Sequence, residues 1–127
     1  MADRLVAERL IKELHAQRVA GNLGGMCRLF ADDGRFEILG ASADKPIAIR
    51  AVGLAEFRPW LAMLTKVFRL SNYALLSLVV EWPRATAHWR ANIYSKVTGV
   101  TVLTELVDLV ELRSEKIQTY SEFFVPR

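Results

Sequence analysis

The chain of 127 residues has one cysteine, Cys27. No disulfide can close within it, which fits a reducing compartment such as the cytoplasm. Histidines are scarce too: only His15 and His88 are present. A first-row metal site takes three or four suitable ligands, and two distant histidines with one cysteine fall short, so no metal site is expected. The net charge is +3, but the basic residues are scattered among acids and apolar residues. A nucleic-acid binder carries a basic stripe or a named motif, so none is expected here. The longest apolar stretch, Tyr73 to Val80, is short and broken by Ser77, too short to span a bilayer. The start, Met1 to Leu5, lacks the apolar core of a secretion signal. Phosphate-cradling glycine loops, a nucleophile elbow and zinc spacings are absent as well, so no cofactor is expected. A cytoplasmic protein of one domain, 1–127, follows.

Apolar residues make up 52% and charged residues 24%, enough for a continuous core in a water-facing shell. Val6, Leu10 and Leu14 recur every fourth position and predict an amphipathic helix from about Ala2 to Val19. Gly21-Asn22 ends it. Leu23, Met26, Cys27 and Phe30 then predict a short second helix, closed by the turn residues Asp32-Asp33-Gly34. Arg35–Leu39 and Pro46–Arg50 read as short strands around a loop from Gly40 to about Lys45. Leu54, Phe57, Leu61, Leu64 and Phe68 form a third helical stripe. Pro59 interrupts it, so the helix either starts near Arg58 or has a kinked first turn.

The second half alternates with period two. Tyr73 to Trp82, Ala85 to Val97, Val100 to Leu112 and Ile117 to Phe124 read as four strands of an antiparallel meander. In the second of these, Ala87, Trp89, Ala91 and Ile93 share one face; His88, Arg90, Asn92 and Tyr94 share the other. Helices first and strands after give an α+β class: a cone-shaped, curved antiparallel sheet wrapped around three helices of the N-terminal half. Such a sheet leaves a pocket at its mouth.

Asp108 is the foremost candidate for chemistry. It sits inside Leu106-Val107-Asp108-Leu109-Val110 and shares a face with Thr104, Leu106, Val110 and Leu112. A carboxyl group turned into an apolar pocket serves as acid or base; the bland reading is a structural pairing with a nearby Arg, His or Tyr. Glu122, on the face of Tyr120 and Phe124, is a weaker second candidate for shared acid–base work. The expected pocket walls are Leu14, Phe30, Ile38, Trp60, Leu64, Trp89, Leu106, Tyr120 and Phe124. His15 reads as a surface or core residue, and Cys27 as a buried, inert thiol.

Several local phrases resemble the nuclear transport factor 2-like superfamily, in its SnoaL-type and ketosteroid isomerase-like branch. They are Gly21-Asn22 followed by Leu23 to Phe30, Ala31-Asp32-Asp33-Gly34, Gly53-Leu54-Ala55-Glu56-Phe57, Arg84 to Arg90, and Val107-Asp108-Leu109 before Lys116-Ile117. The resemblance implies a conical pocket and a homodimer formed through the outer sheet face. Ketosteroid isomerases place their Asp base at a position that here resembles Ile38, and their Tyr at about Leu14. Only the oxyanion-hole Asp has a counterpart, Asp108, so that isomerase activity itself is not expected. Limonene epoxide hydrolases use an Asp-Arg-Asp set. Arg90 and Asp108 would supply two members only if a bulge turned Arg90 inward.

Two functional readings follow. One is a small-molecule enzyme of isomerase, cyclase or hydrolase type, with Asp108 as pocket acid or base for a small apolar substrate. The other is a non-catalytic ligand-binding or interaction module of the same shape. Both include a homodimer through the face of His88, Arg90, Asn92 and Tyr94.

Overall fold

The structure is a computed structural model that describes residues 2–41 and 46–126. Helix α1 spans Ala2–Ala20. Its buried stripe is Ala7, Leu10, Ile11 and Leu14, and the same stripe runs on through His15 and Arg18, both also buried. Spacings of three and four keep all six on one face. Gly21, at φ 70°, ends the helix: its N–H donates to the Arg18 carbonyl, and that of Asn22 to the Gln17 carbonyl. Only glycine takes this left-handed turn without strain.

Asn22 then caps α2 (Leu23–Cys27) by accepting the Gly25 N–H at 3.0 Å. The helix is shorter than its apolar spacing predicts. Phe30 already begins strand β1 (Phe30–Ala41), and the Asp32-Asp33-Gly34 phrase lies within that strand, where its pairing register shifts. Strand β2 covers Pro46–Val52. Of the loop expected from Gly40 to Lys45, residues 42–45 lie outside the described residues.

Helix α3 (Leu54–Lys66) contains Pro59 in its second turn rather than starting near Arg58. Its start is fixed four residues earlier. The Gly53 carbonyl accepts the N–H groups of Glu56 and Phe57, and the Glu56 carboxylate reaches back to the Val52 N–H at 3.2 Å, in the manner of a capping box. The missing proline donor therefore removes a single bond, toward Ala55, from a helix whose Phe57, Leu61 and Leu64 are buried. Phe68, expected on this stripe, instead opens strand β3 (Phe68–Glu81).

Strands β4 (Arg84–Ser95), β5 (Thr101–Arg113) and β6 (Lys116–Pro126) complete a mixed sheet in the order β2-β1-β6-β5-β4-β3. The meander β3-β4-β5-β6 is antiparallel throughout, and β1 joins it parallel to β6. Register shifts in β3 at Ser71/Ala74 and Leu75/Ser77, with Asn72 at φ 52°, add the bend of β-bulges. The sheet curls without closing, and the helices fill its concave side.

Alternation puts Ala85, Ala87, Trp89 and Ala91 inside on β4, with Thr104, Leu106, Asp108, Val110 and Leu112 inside on β5. The convex face carries Arg90, Asn92, Tyr94 and the His88–Glu105 pair at 2.8 Å. It also exposes apolar Leu103, Leu109, Phe123 and Val125. Among the described residues no helix is long and apolar enough to cross a membrane.

Candidate functional site

At one end of the concave face a cavity of about 420 Å³ opens between α3 and the sheet. Leu64 and Met63 line it from α3, Ile38 and Ile49 from β1 and β2, and Leu106 and Phe124 from the sheet floor. Its size and apolar walls suit a small molecule. Among the described residues, the charged groups on its lining are Arg18 from α1 and Glu122 from β6.

Phe124 owes its position to a glycine. It sits directly opposite Gly40 on β1, and a Cβ on Gly40 would lie 2.4 Å from the phenyl ring. The missing side chain makes room for the aromatic wall.

The cavity floor is ordered by β-sheet register. Asp108 and Glu122 are direct cross-strand partners on β5 and β6, and both are buried, at 0% and 2% exposure. Two like charges directly opposite one another repel. Helix α1 answers each with its own partner, one turn apart. His15 Nε2 meets Asp108 Oδ2 at 2.7 Å, and Arg18 Nη1 donates a short hydrogen bond to Glu122 Oε2. The same Glu122 oxygen accepts the Tyr120 hydroxyl at 2.7 Å. The far nitrogen of His15, Nδ1, lies 2.6 Å from the Tyr73 hydroxyl. With Asp108 ionised, Nε2–H donates to it, and in the neutral ring Nδ1 accepts the tyrosine proton.

Electrostatics follow from this packing. Burial works to lower the Arg18 pKa, but the charges of Glu122, Tyr120 and Asp108 outweigh it and hold the guanidinium protonated. Burial first, then Asp108 and Glu122, push the Tyr120 phenol well above its ordinary range, so it remains a donor. Burial and the Asp108 charge push Tyr73 up to about 12. Trp89, fully buried, lies under this network: the Arg18 guanidinium carbon is 5.1 Å from its ring centre and the His15 ring 4.7 Å, within cation–π range for Arg18.

The sequence candidates separate in space. Ile38, Leu64, Leu106, Phe124 and Glu122 line the cavity. Asp108 is on the concave face but not on the cavity lining, with its Oδ2 engaged by His15. Leu14 and Phe30 belong to the core under the helices, and Tyr120 reaches the site only through its hydroxyl. Trp89 is sealed beneath Arg18 rather than lining the cavity. Trp60 is 37% exposed, since α3 turns Phe57, Leu61 and Leu64 inward and leaves Trp60 beside that stripe.

Arg90 stays exposed on the convex side because β4 keeps its alternation across Trp89. The arginine near both carboxylates is Arg18, which sequence reasoning missed together with the roles of His15 and Tyr73. A signal was there: His15 and Arg18 continue the apolar stripe of α1, four residues after Ile11 and Leu14 respectively. Among the described residues no cluster of three or more His, Cys, Asp or Glu side chains could hold a metal ion.

The family profile of the SnoaL-like domain matches residues 8–120. No curated protein matches the chain. Solved structures share the fold. A candidate isomerase from Bacillus subtilis superposes with a TM-score of 0.85 at 16% identity, covering 98% of this chain and 90% of that one. A nuclear transport factor 2-like protein from Burkholderia xenovorans gives 0.77 at 20% identity, covering 95% and 90%. An LEH-like epoxide hydrolase of M. tuberculosis gives 0.72 at 9% identity, covering 95% and 84%. At these identities the likeness is one of fold.

Proposed function

The chain belongs to the SnoaL-like domain family, and from that premise we propose that it binds a small apolar molecule and brings one polar group of it to the Arg18–Glu122 pair. The observation that carries this reading is an apolar cavity of about 420 Å³ with a buried ion pair on its lining. A few convergent polar groups in an apolar hollow orient a ligand, while the walls supply most of the binding.

The finer reading is acid–base turnover of isomerase, cyclase or hydrolase type. Glu122 is then the carboxylate that touches substrate, and Asp108, on the neighbouring strand, is a positioning residue acting through His15 and Arg18. Two structural neighbours are described as a candidate isomerase and an LEH-like epoxide hydrolase. The carboxylate–arginine–carboxylate set is of the kind used on epoxides, with Arg18 in the arginine's place. Binding without turnover is the second reading. It is favoured by the two donors on Glu122 Oε2, Arg18 and Tyr120, which occupy the lone pairs that a substrate proton would need.

The test is displacement of an environment-sensitive apolar dye, followed by turnover assays on polyketides, steroids and epoxides. Leu106→Trp, which fills the cavity, should abolish dye binding with the fold intact by circular dichroism; unchanged binding would remove the cavity from consideration. Turnover lost in Glu122→Gln supports catalysis. Binding without turnover across the panel supports the second reading. The convex face, with Leu103, Leu109, Phe123 and Val125 exposed, is proposed to meet a second copy of the chain in a cytoplasmic homodimer.

A further inference from the structure

Three buried polar atoms of the network find no partner among the described residues: Asp108 Oδ1, Trp89 Nε1 and Arg18 Nε. They belong to one neighbourhood. Arg18 lies over the Trp89 ring. His15, packed on the same ring, holds the other oxygen of Asp108. Trp89 and Asp108 stand on adjacent strands, one inward position apart, since Asp108 pairs with Ala87 and Leu106 with Trp89. The Asp108 charge also acts on Arg18. An unpaired buried donor or acceptor is costly, and here two donors and one acceptor occur together.

We infer that Asp108 Oδ1, Trp89 Nε1 and Arg18 Nε form a binding site for one uncharged hydroxyl-type oxygen, either a water molecule or the hydroxyl of a bound alcohol. The valence selects the occupant. Two N–H groups require an atom with two lone pairs, and Asp108 Oδ1, as an acceptor, requires a hydrogen from that same atom. A ketone or carboxylate oxygen has no hydrogen to give. An ammonium group has no lone pair to receive. A hydroxyl oxygen does both at once. Bound there, it joins the Asp108–His15 arm to the Arg18–Glu122 arm and lies against the free oxygen of Asp108. Arg18 is the member of the trio that also lines the cavity, so a ligand hydroxyl would enter along its side chain. The water form stands independently of the proposed function; the alcohol form rests on it.

High-resolution crystal structures of the free protein and of crystals soaked with 2-naphthylmethanol or 2-methylnaphthalene test the site, together with the affinities of both compounds for wild type and Asp108→Asn. A single density peak in the free protein, within hydrogen-bond distance of Oδ1 and of at least one donor, establishes the water form even if neither compound binds. Density there only in the alcohol soak establishes the ligand form. In that case Asp108→Asn weakens 2-naphthylmethanol about tenfold, the effect of one lost hydrogen bond, and leaves 2-methylnaphthalene unchanged. No peak in either crystal, or the three atoms satisfied by other protein groups, overturns the inference. Failure of both compounds to bind while the free protein shows the peak counts against the cavity reading alone.

Discussion

Replacing Arg18 by Met is the sharpest perturbation of the network, because Arg18 is 4% exposed and its partner Glu122 is 2% exposed. Methionine keeps the length and apolar stem of the side chain but removes the charge. Glu122 is then left with the Tyr120 hydroxyl and, on the facing strand, the carboxylate of Asp108. Removing one member of a buried ion pair costs about 3–5 kcal/mol. A domain of this size has a total stability of about 5–15 kcal/mol, so the variant loses about a fifth or more of it. With a urea slope of about 2 kcal/mol per molar, the unfolding midpoint falls by about 2 M. Glu122→Leu alone should cost a similar amount, because it orphans Arg18. The double variant Arg18→Met/Glu122→Leu leaves only the Tyr120 hydroxyl unpaired and should lie within about 1–3 kcal/mol of wild type. The measured quantity is the coupling energy of this cycle from urea unfolding, expected at about 3 kcal/mol or more. Additive losses, or a cost below about 1 kcal/mol for Arg18→Met, would mean the pair is not a buried, charged unit.

Further outcomes follow from the same geometry. Tyr73 is raised from 10.0 to about 12 in the folded state, so the unfolded chain releases this proton first. Its contribution is intact below pH about 10 and is lost as pH rises from about 10 toward 12. Alkaline unfolding of Tyr73→Phe should therefore be shallower in that window, and identical profiles would contradict the burial of Tyr73. Gly40→Ala brings a Cβ to 2.4 Å from Phe124 and must swing the ring; it should cost about 1–3 kcal/mol and weaken cavity ligands, and unchanged dye affinity would show that Phe124 does not shape the cavity. Leu109→Glu with Val125→Glu, both on the convex face, should convert the proposed dimer to monomer in sedimentation at equal concentration, while dye binding remains.

Much of the sheet was legible because alternation is a local property. Ala87, Trp89 and Ala91 were placed inward from sequence alone, and period two put Asp108 on the face of Leu106 and Val110 and Glu122 on that of Tyr120 and Phe124. What alternation cannot specify is depth along the cone. Asp108 and Leu106 share a face one pleat apart, yet Leu106 is on the cavity lining and Asp108 is not. Partnerships were equally invisible, since His15 and Asp108 are 93 positions apart and Arg18 and Glu122 are 104. Helix ends moved for nameable reasons. Phe30 was claimed by pairing with Ile117 on β6, and Phe68 by pairing with Ser95 on β4, against a helical spacing that both residues satisfy. Of the two readings that Pro59 left open for α3, the start near Arg58 fails, because the Glu56 side chain and the Gly53 carbonyl hold its first turn independently of Pro59.

The last turn of α1 joins stability to function. An amphipathic helix packed on an apolar sheet is most easily completed with leucines, and Ala7, Leu10, Ile11 and Leu14 begin it that way. Then the stripe changes to His15 and Arg18, facing two carboxylates on adjacent strands. Apolar replacement of such a buried charged set is often neutral or stabilising, so packing alone gives no reason for four ionisable side chains at this depth. The charges also stand beside an apolar hollow of about 420 Å³, and not in the core cluster that includes Met26 and Cys27 of α2. A network that is costly to bury and adjoins a space for a ligand is what a stability–function compromise looks like. Extending the apolar replacement to all four positions, with Leu at 15, 108 and 122 and Met at 18, should therefore preserve the fold and leave the cavity able to take hydrocarbons. It should erase any preference among polar ligands. If the fourfold variant kept the same ranking of alcohols, ketones and hydrocarbons as wild type, the charges would be structural and the cavity would read shape alone.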